Sequence, residues 1–223
     1  MTERRDTRLP AAWFERSAQE VAKELLGCYL VHETAEGRVA GRIVETEAYL
    51  GTIDRASHSF SGVPTERTRA MFGEKGRAYV YRIYGLHWCL NVVCGQVGTP
   101  QAVLIRALEP IEGIAQMRAR QPDCPANRLE NALCRGPGKL CRAMDITAAR
   151  YDADLRGNEL FLTPGKLAAS ERIAATARIG VDYAGDDALK IWRFFIAGNP
   201  CVSGTKKLNA SGEEATIRRS KKA

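Results

Sequence analysis

Apolar residues recur every three or four positions between Ala11 and Leu26, where Trp13, Phe14, Ala18, Val21, Ala22, Leu25 and Leu26 form one stripe. That spacing predicts an amphipathic helix, stopped by Gly27. The pattern then shortens. Cys28 to His32 and Arg38 to Tyr49 read as strands joined at Glu36-Gly37, a hairpin. Gly51 to Thr65, rich in Gly, Ser and Pro, reads as a loop. A short helix over Arg67 to Phe72 and a turn at Glu74-Lys75-Gly76 lead into three strands, Ala78 to Tyr84, Leu90 to Cys94 and Ala102 to Leu108. Pro110 is expected to open a helix running to Arg120, since a missing N–H costs nothing in a first turn. A further short helix is expected over Lys139 to Met144, and late strands over Leu160 to Leu162, Ile173 to Ile179 and Trp192 to Ile196. Strands and helices do not alternate as parallel crossovers require. The expectation is one compact α+β domain, a mainly antiparallel curved sheet surrounded by helices.

Composition trims this picture. The chain has 223 residues, enough to bury a sizeable core. Residues 9–203 are expected to form the domain, after a flexible N-terminus (residues 1–8) and before a basic tail (residues 204–223) too poor in apolar residues to fold alone. A net charge of +7 suits a polyanionic partner without demanding one. Seven cysteines with no Cys-x-x-Cys argue against a disulfide framework and a zinc site, and fit a reducing compartment. Cys134 and Cys141 have the Cys-x6-Cys start of iron–sulfur glycosylases, but the next ligand position holds Met144. They read as small core residues. No metal or cofactor is expected. Neither a secretory signal nor a membrane span is visible, which points to the cytoplasm, with nucleoid association if the source is bacterial.

The candidate chemistry lies between Val44 and Gly113. Glu45, Glu47 and Tyr49 alternate along one strand and share a face. Two acids facing a core are costly, so that face is either functional or the polar outside of an edge strand. Periodicity does not choose between the two carboxylates. Tyr79 and Tyr81 fit ordinary strand packing. Tyr84 differs, because the Gly85 beside it predicts a turn whose tip would expose the ring. A ring so placed can replace a base in a duplex stack, worth roughly 1–3 kcal/mol, against a few kcal/mol for extruding a base. Arginines are dense here (Arg67, Arg69, Arg77, Arg82 and Arg106) and suit phosphate. The histidines, His32, His58 and His87, form no zinc motif. His58 either lines the same cavity as the acids or is plain surface. Gly136-Pro137-Gly138-Lys139 lacks phosphate-loop spacing, and marks either a helix start that holds a phosphate or a simple cap.

Taken in order, these strings resemble one family. Ile43-Val44-Glu45-Thr46-Glu47-Ala48-Tyr49-Leu50-Gly51, Asp54, His58-Ser59, Arg69-Ala70-Met71-Phe72, Tyr79-Val80-Tyr81-Arg82-Ile83-Tyr84-Gly85, Asn91 and Leu104-Ile105-Arg106-Ala107-Leu108-Glu109-Pro110 are similar to the alkyladenine (methylpurine) DNA glycosylases. So are Gly136-Pro137-Gly138-Lys139-Leu140-Cys141 and Arg178-Ile179-Gly180-Val181-Asp182-Tyr183-Ala184-Gly185. The resemblance implies a monofunctional, metal-free enzyme that flips alkylated or deaminated purines from double-stranded DNA and hydrolyses the N-glycosidic bond. A monomer is expected, since no sequence feature points to an obligate oligomer. It implies Glu47 as the base that activates water, with Arg106 and the Ile179 carbonyl helping to hold that water. Tyr49, His58 and Tyr81 would wall the base pocket, and Asn91 would crowd out normal guanine. Tyr84 would intercalate from a protruding hairpin, with Arg67, Arg69, Leu86, Leu104 and Lys139 expected at the DNA. His87, Trp88 and Asn199-Pro200-Cys201 depart from some relatives, outside the proposed chemistry. Two rivals stay open: a glycosylase-lyase that uses Lys139 for a Schiff base, and a non-catalytic binding module.

Overall fold

The computed structural model describes residues 7–96, 98–122 and 130–209. Its centre is an eight-stranded, wholly antiparallel sheet: β1 (Tyr29–Thr34), β2 (Gly37–Tyr49), β3 (Ala78–Ile83), β4 (His87–Cys94), β5 (Gln101–Glu112), β6 (Leu160–Thr163), β7 (Ile173–Thr176) and β8 (Arg193–Ile196). The order β3-β4-β5-β2-β1-β6 makes β2 a central strand, with β8 pairing further along it and β7 pairing β8. The edge-strand reading of the acidic segment therefore fails. The α+β expectation holds.

Short helices pack around the sheet, among them α1 (Ala18–Glu24), α2 (Arg69–Phe72), α3 (Ile114–Ala119) and α4 (Pro137–Ala143). The first predicted helix is broken in two. Ala11–Phe14 is a 3-10 turn, and Ser17 starts α1 with a capping box to Glu20. Reciprocal capping satisfies donors that a continuous helix would not leave free. The apolar stripe still works, since Phe14, Ala18, Val21, Ala22, Leu25 and Leu26 are buried in the main core.

Pro110 does not open a helix. It lies in β5 opposite Gly41, beyond the stretch where β4 pairs, beside a register shift. A residue without an N–H is tolerated where the ladder is already one-sided or irregular. The helix begins at Ile114, after Gly113 turns the chain at φ 72°. β7 stops at Thr176, short of the expected Ile179. Cys28, Cys89, Cys94, Cys134, Cys141 and Cys201 are free and buried, as small core residues should be, whereas Cys124 lies outside the described residues. Residues 206–209 are helical and Asn209 accepts from Arg193 at 3.0 Å, so the described start of the tail packs on the domain. Residues 210–223 lie outside the described residues. Among the described residues no helix is long and apolar enough to cross a membrane.

Candidate active site

Strand register assembles one row of side chains across the sheet. Tyr79 pairs with Asn91, Asn91 with Leu104, Leu104 with Glu47 and Glu47 with Arg193. Directly opposed residues share a face, so five strands bring an aromatic, an amide, an aliphatic, an acid and an arginine to one side. Tyr81 and Cys89 form the next opposed pair on the same face.

Arg106 arrives by a different route. Between Glu45–Ala107 and Thr46–Ile105 the register slips, which leaves Arg106 as the extra residue of a β-bulge; Val44 is the compensating extra residue in β2. Bulges re-aim side chains, and they concentrate next to functional sites. Here the bulge lets one guanidinium reach both acids. Its Nε donates to Glu45 at 2.8 Å, and its Nη1 lies 3.2 Å from Glu47. Burial opposes the charge of Arg106, but Glu47 and Glu45 outweigh it and raise its pKa.

Both acids are fully buried, yet their partners differ. Glu45 accepts from Arg106, from Arg193 at 2.7 Å, and from the Ser203 hydroxyl and amide at 2.9 and 2.7 Å. Burial alone would raise its pKa; the two arginines hold it below the usual carboxylate value. Glu47 accepts from the Tyr49 hydroxyl at 2.9 Å and the Ile179 amide at 2.8 Å, beside the Arg106 contact. Desolvation, then the neighbouring Glu47 charge, drives the Tyr49 phenol well above its ordinary pKa, so it stays a donor.

Tyr49, Arg106 and Ile179 all line one cavity of about 390 Å³, and so do Tyr81, His58 and Asn91. That volume is within the roughly 300–1,000 Å³ of small-ligand sites. The Glu47 carboxylate sits immediately behind its wall. The Tyr81 ring stacks near Tyr79 at 5.2 Å between centroids, and His58 meets Tyr81 edge-on at 4.6 Å. His58 Nδ1 pairs with the Tyr79 hydroxyl at 2.8 Å. Desolvation and the nearby Arg67 lower the His58 pKa to about 4, so the imidazole is neutral at physiological pH. Asn91 is held by its amide, which donates to the Tyr79 carbonyl at 3.1 Å.

At the cavity rim β3 and β4 form a hairpin whose tip is Tyr84-Gly85-Leu86. The Leu86 amide closes the turn on the Ile83 carbonyl, and Tyr84 and Gly85 both have positive φ, 51° and 65°. Such values suit the tight turns that match hairpin twist. Tyr84 is 89% exposed and Leu86 68%. The Gly136-Pro137-Gly138-Lys139 motif is a helix cap, with Gly136 at the N-cap of α4 and Pro137 in its first turn. Gly138 adds a packing role, since a Cβ there would lie 3.0 Å from His87, so glycine lets α4 support the hairpin base.

Most of the expected site thus meets at one place. Arg67 borders the cavity, stacking over Tyr81, and Arg69 stacks over Tyr151 beside it. Leu104 is only 3% exposed and forms cavity wall, not outer surface. Lys139 is exposed on α4, away from the cavity lining. Sequence reasoning missed Tyr79 as a wall residue, although it stands two positions from Tyr81 on one face. It also missed Arg193 and Ser203, for which no local signal exists.

The profile of the methylpurine-DNA glycosylase family matches residues 12–200. The chain belongs to that family. It is 50% identical over 196 residues to a protein of Methanocella arvoryzae, covering 87% of this chain and 95% of the relative. A relative from Clostridium acetobutylicum is 48% identical over 200 residues, covering 87% and 97%. One from Bacillus cereus is 44% identical over 201 residues, covering 87% and 98%. All three carry the provisional name 3-methyladenine DNA glycosylase. The methylpurine-DNA glycosylase match spans every element that builds the cavity, from β2 to the Ile179 segment.

Proposed function

We propose that this protein excises alkylated purines, 3-methyladenine and 7-methylguanine among them, from duplex DNA by hydrolysis of the N-glycosidic bond. The observation that carries this reading is the ring-lined cavity with one carboxylate set behind its wall. Tyr84, open to solvent at the hairpin tip, fills the gap in the stack while the damaged nucleotide turns into the cavity. An N3- or N7-alkylated purine is already cationic, so it leaves without an acid. The sugar then develops oxocarbenium character. Glu47 aims and deprotonates water and stabilises that cation, while Arg106 and the Ile179 carbonyl help hold the water. Hypoxanthine and ethenoadenine are neutral. Their departure needs hydrogen bonds at the base, and neutral His58, which lines the cavity, is the candidate to make one. Asn91, fixed by Tyr79, crowds the amino group of guanine.

The products are a free base and an abasic site, with no strand cleavage. The position of Lys139 outside the cavity lining supports this against a lyase mechanism. The deciding experiment is release of free base from N-methylpurine DNA. The expected result is release without a borohydride-trapped adduct. A protein that binds this DNA and releases no base would refute the reading.

A further inference from the structure

The Ile179 amide that holds Glu47 belongs to a segment that has already left β7. What keeps it in place lies one residue back. Arg178 and Asp54 form a fully buried ion pair, Nη1 to Oδ2 at 2.6 Å and Nη2 to Oδ1 at 2.8 Å. The same guanidinium donates to the Ala48 carbonyl at 3.0 Å and the Asp187 carbonyl at 3.1 Å. The same carboxylate accepts from the Leu50 amide at 3.1 Å and the Ala56 amide at 3.0 Å. The guanidinium also packs against the rings of Tyr49 at 4.7 Å and Trp192 at 4.9 Å.

Three segments meet in that contact: the end of β2 with Tyr49, the loop with His58, and the chain through Ile179. Each contributes to the cavity wall, whereas Asp54 and Arg178 do not line it. A two-pronged guanidinium–carboxylate pair fixes direction as well as distance. We infer that Asp54 and Arg178 are positioning residues for the excision step, setting the Ile179 amide, the Tyr49 hydroxyl and the His58 loop relative to the Glu47 carboxylate. This inference rests on the glycosylase reading for its catalytic consequence, but not for its geometry.

The test is Asp54→Asn, which keeps the shape and removes the charge. Hydrogen exchange at the Ile179 amide is the first readout. That amide bonds to Glu47 and not to Asp54, so it changes only if the pair transmits order along the chain. Exchange there is expected to quicken at least roughly tenfold, while the Phe195 amide in β8 stays as it was. Single-turnover excision is expected to fall about 100-fold while affinity for lesion DNA changes by less than about threefold. Unaltered exchange at Ile179 in folded protein would overturn the inference. So would excision and affinity falling together, which marks a pair that merely holds the domain. If Asp54→Asn does not fold, Arg178→Lys carries the same readouts, because it keeps the buried charge and loses the second prong. Lack of base release by the unaltered protein would defeat the glycosylase reading instead, and Ile179 exchange would still decide the pair.

Discussion

Glu45 and Glu47 are two residues apart on one strand, fully buried, and both touched by Arg106. Their surroundings nevertheless divide the molecule into a sealed region and a working one. Around Glu45 two arginines and Ser203 saturate the carboxylate, and neither Arg193 nor Ser203 reaches the cavity. Around Glu47 every partner is part of the cavity wall. Burial alone therefore does not mark an acid as structural. What separates the two is where their hydrogen-bond partners lead: inward to more protein, or outward to a space a ligand can fill.

Glu47→Gln should produce the largest effect. Excision is expected to drop by at least about 1,000-fold, with lesion binding retained, since removing a group that acts only in the transition state lowers the rate and not the affinity. Excision at near the normal rate would erase the distinction between the two acids. Glu45→Gln should do the reverse. The amide would set donor against donor at the arginines or at the Ser203 N–H, so the expectation is a loss of about 3–5 kcal/mol in denaturant unfolding. Excision by the folded fraction should fall far less than in Glu47→Gln, because Glu45 reaches the cavity only through Arg106.

Outside both regions, Tyr84→Ser should weaken capture of lesion DNA at matched salt by roughly 1–3 kcal/mol, the worth of one stacked ring, without changing stability as Glu45→Gln does. The smallest effect is in acid. The Glu45 pKa is depressed below 4.5 in the fold. Its contribution is thus present above the unfolded value and lost as pH falls through the folded one. Melting temperature should decline below about pH 4.5, and more steeply for the unaltered protein than for Glu45→Gln. Equal slopes would mean that the Glu45 cluster does not control acid sensitivity.

Much of this was readable in the chain because it is local. Alternation located the strands, and the Tyr84-Gly85 pair located an exposed turn. Two-residue spacing put Glu47 and Tyr49 on one face. Other features have no short-range signal. Arg193 meets Glu45 148 residues away, and Arg178 meets Asp54 124 residues away. Pro110 misled because proline suits both a first helical turn and a one-sided strand, and only the end of the β4 pairing separates them. The bulge that swings Arg106 between the acids is likewise invisible, since one extra residue on each strand leaves the overall pattern intact.

Residue 84 carries an internal conflict. A tyrosine at φ 51° is less comfortable than glycine or asparagine, by roughly 1–2 kcal/mol for most side chains. Its ring rests on solvent, so the fold gains almost no packing in return. Under the proposed intercalating role, thermal robustness and lesion handling pull this position in opposite directions. A lineage pressed only by heat would shed the ring, whereas one exposed to alkylating agents would keep the awkward turn.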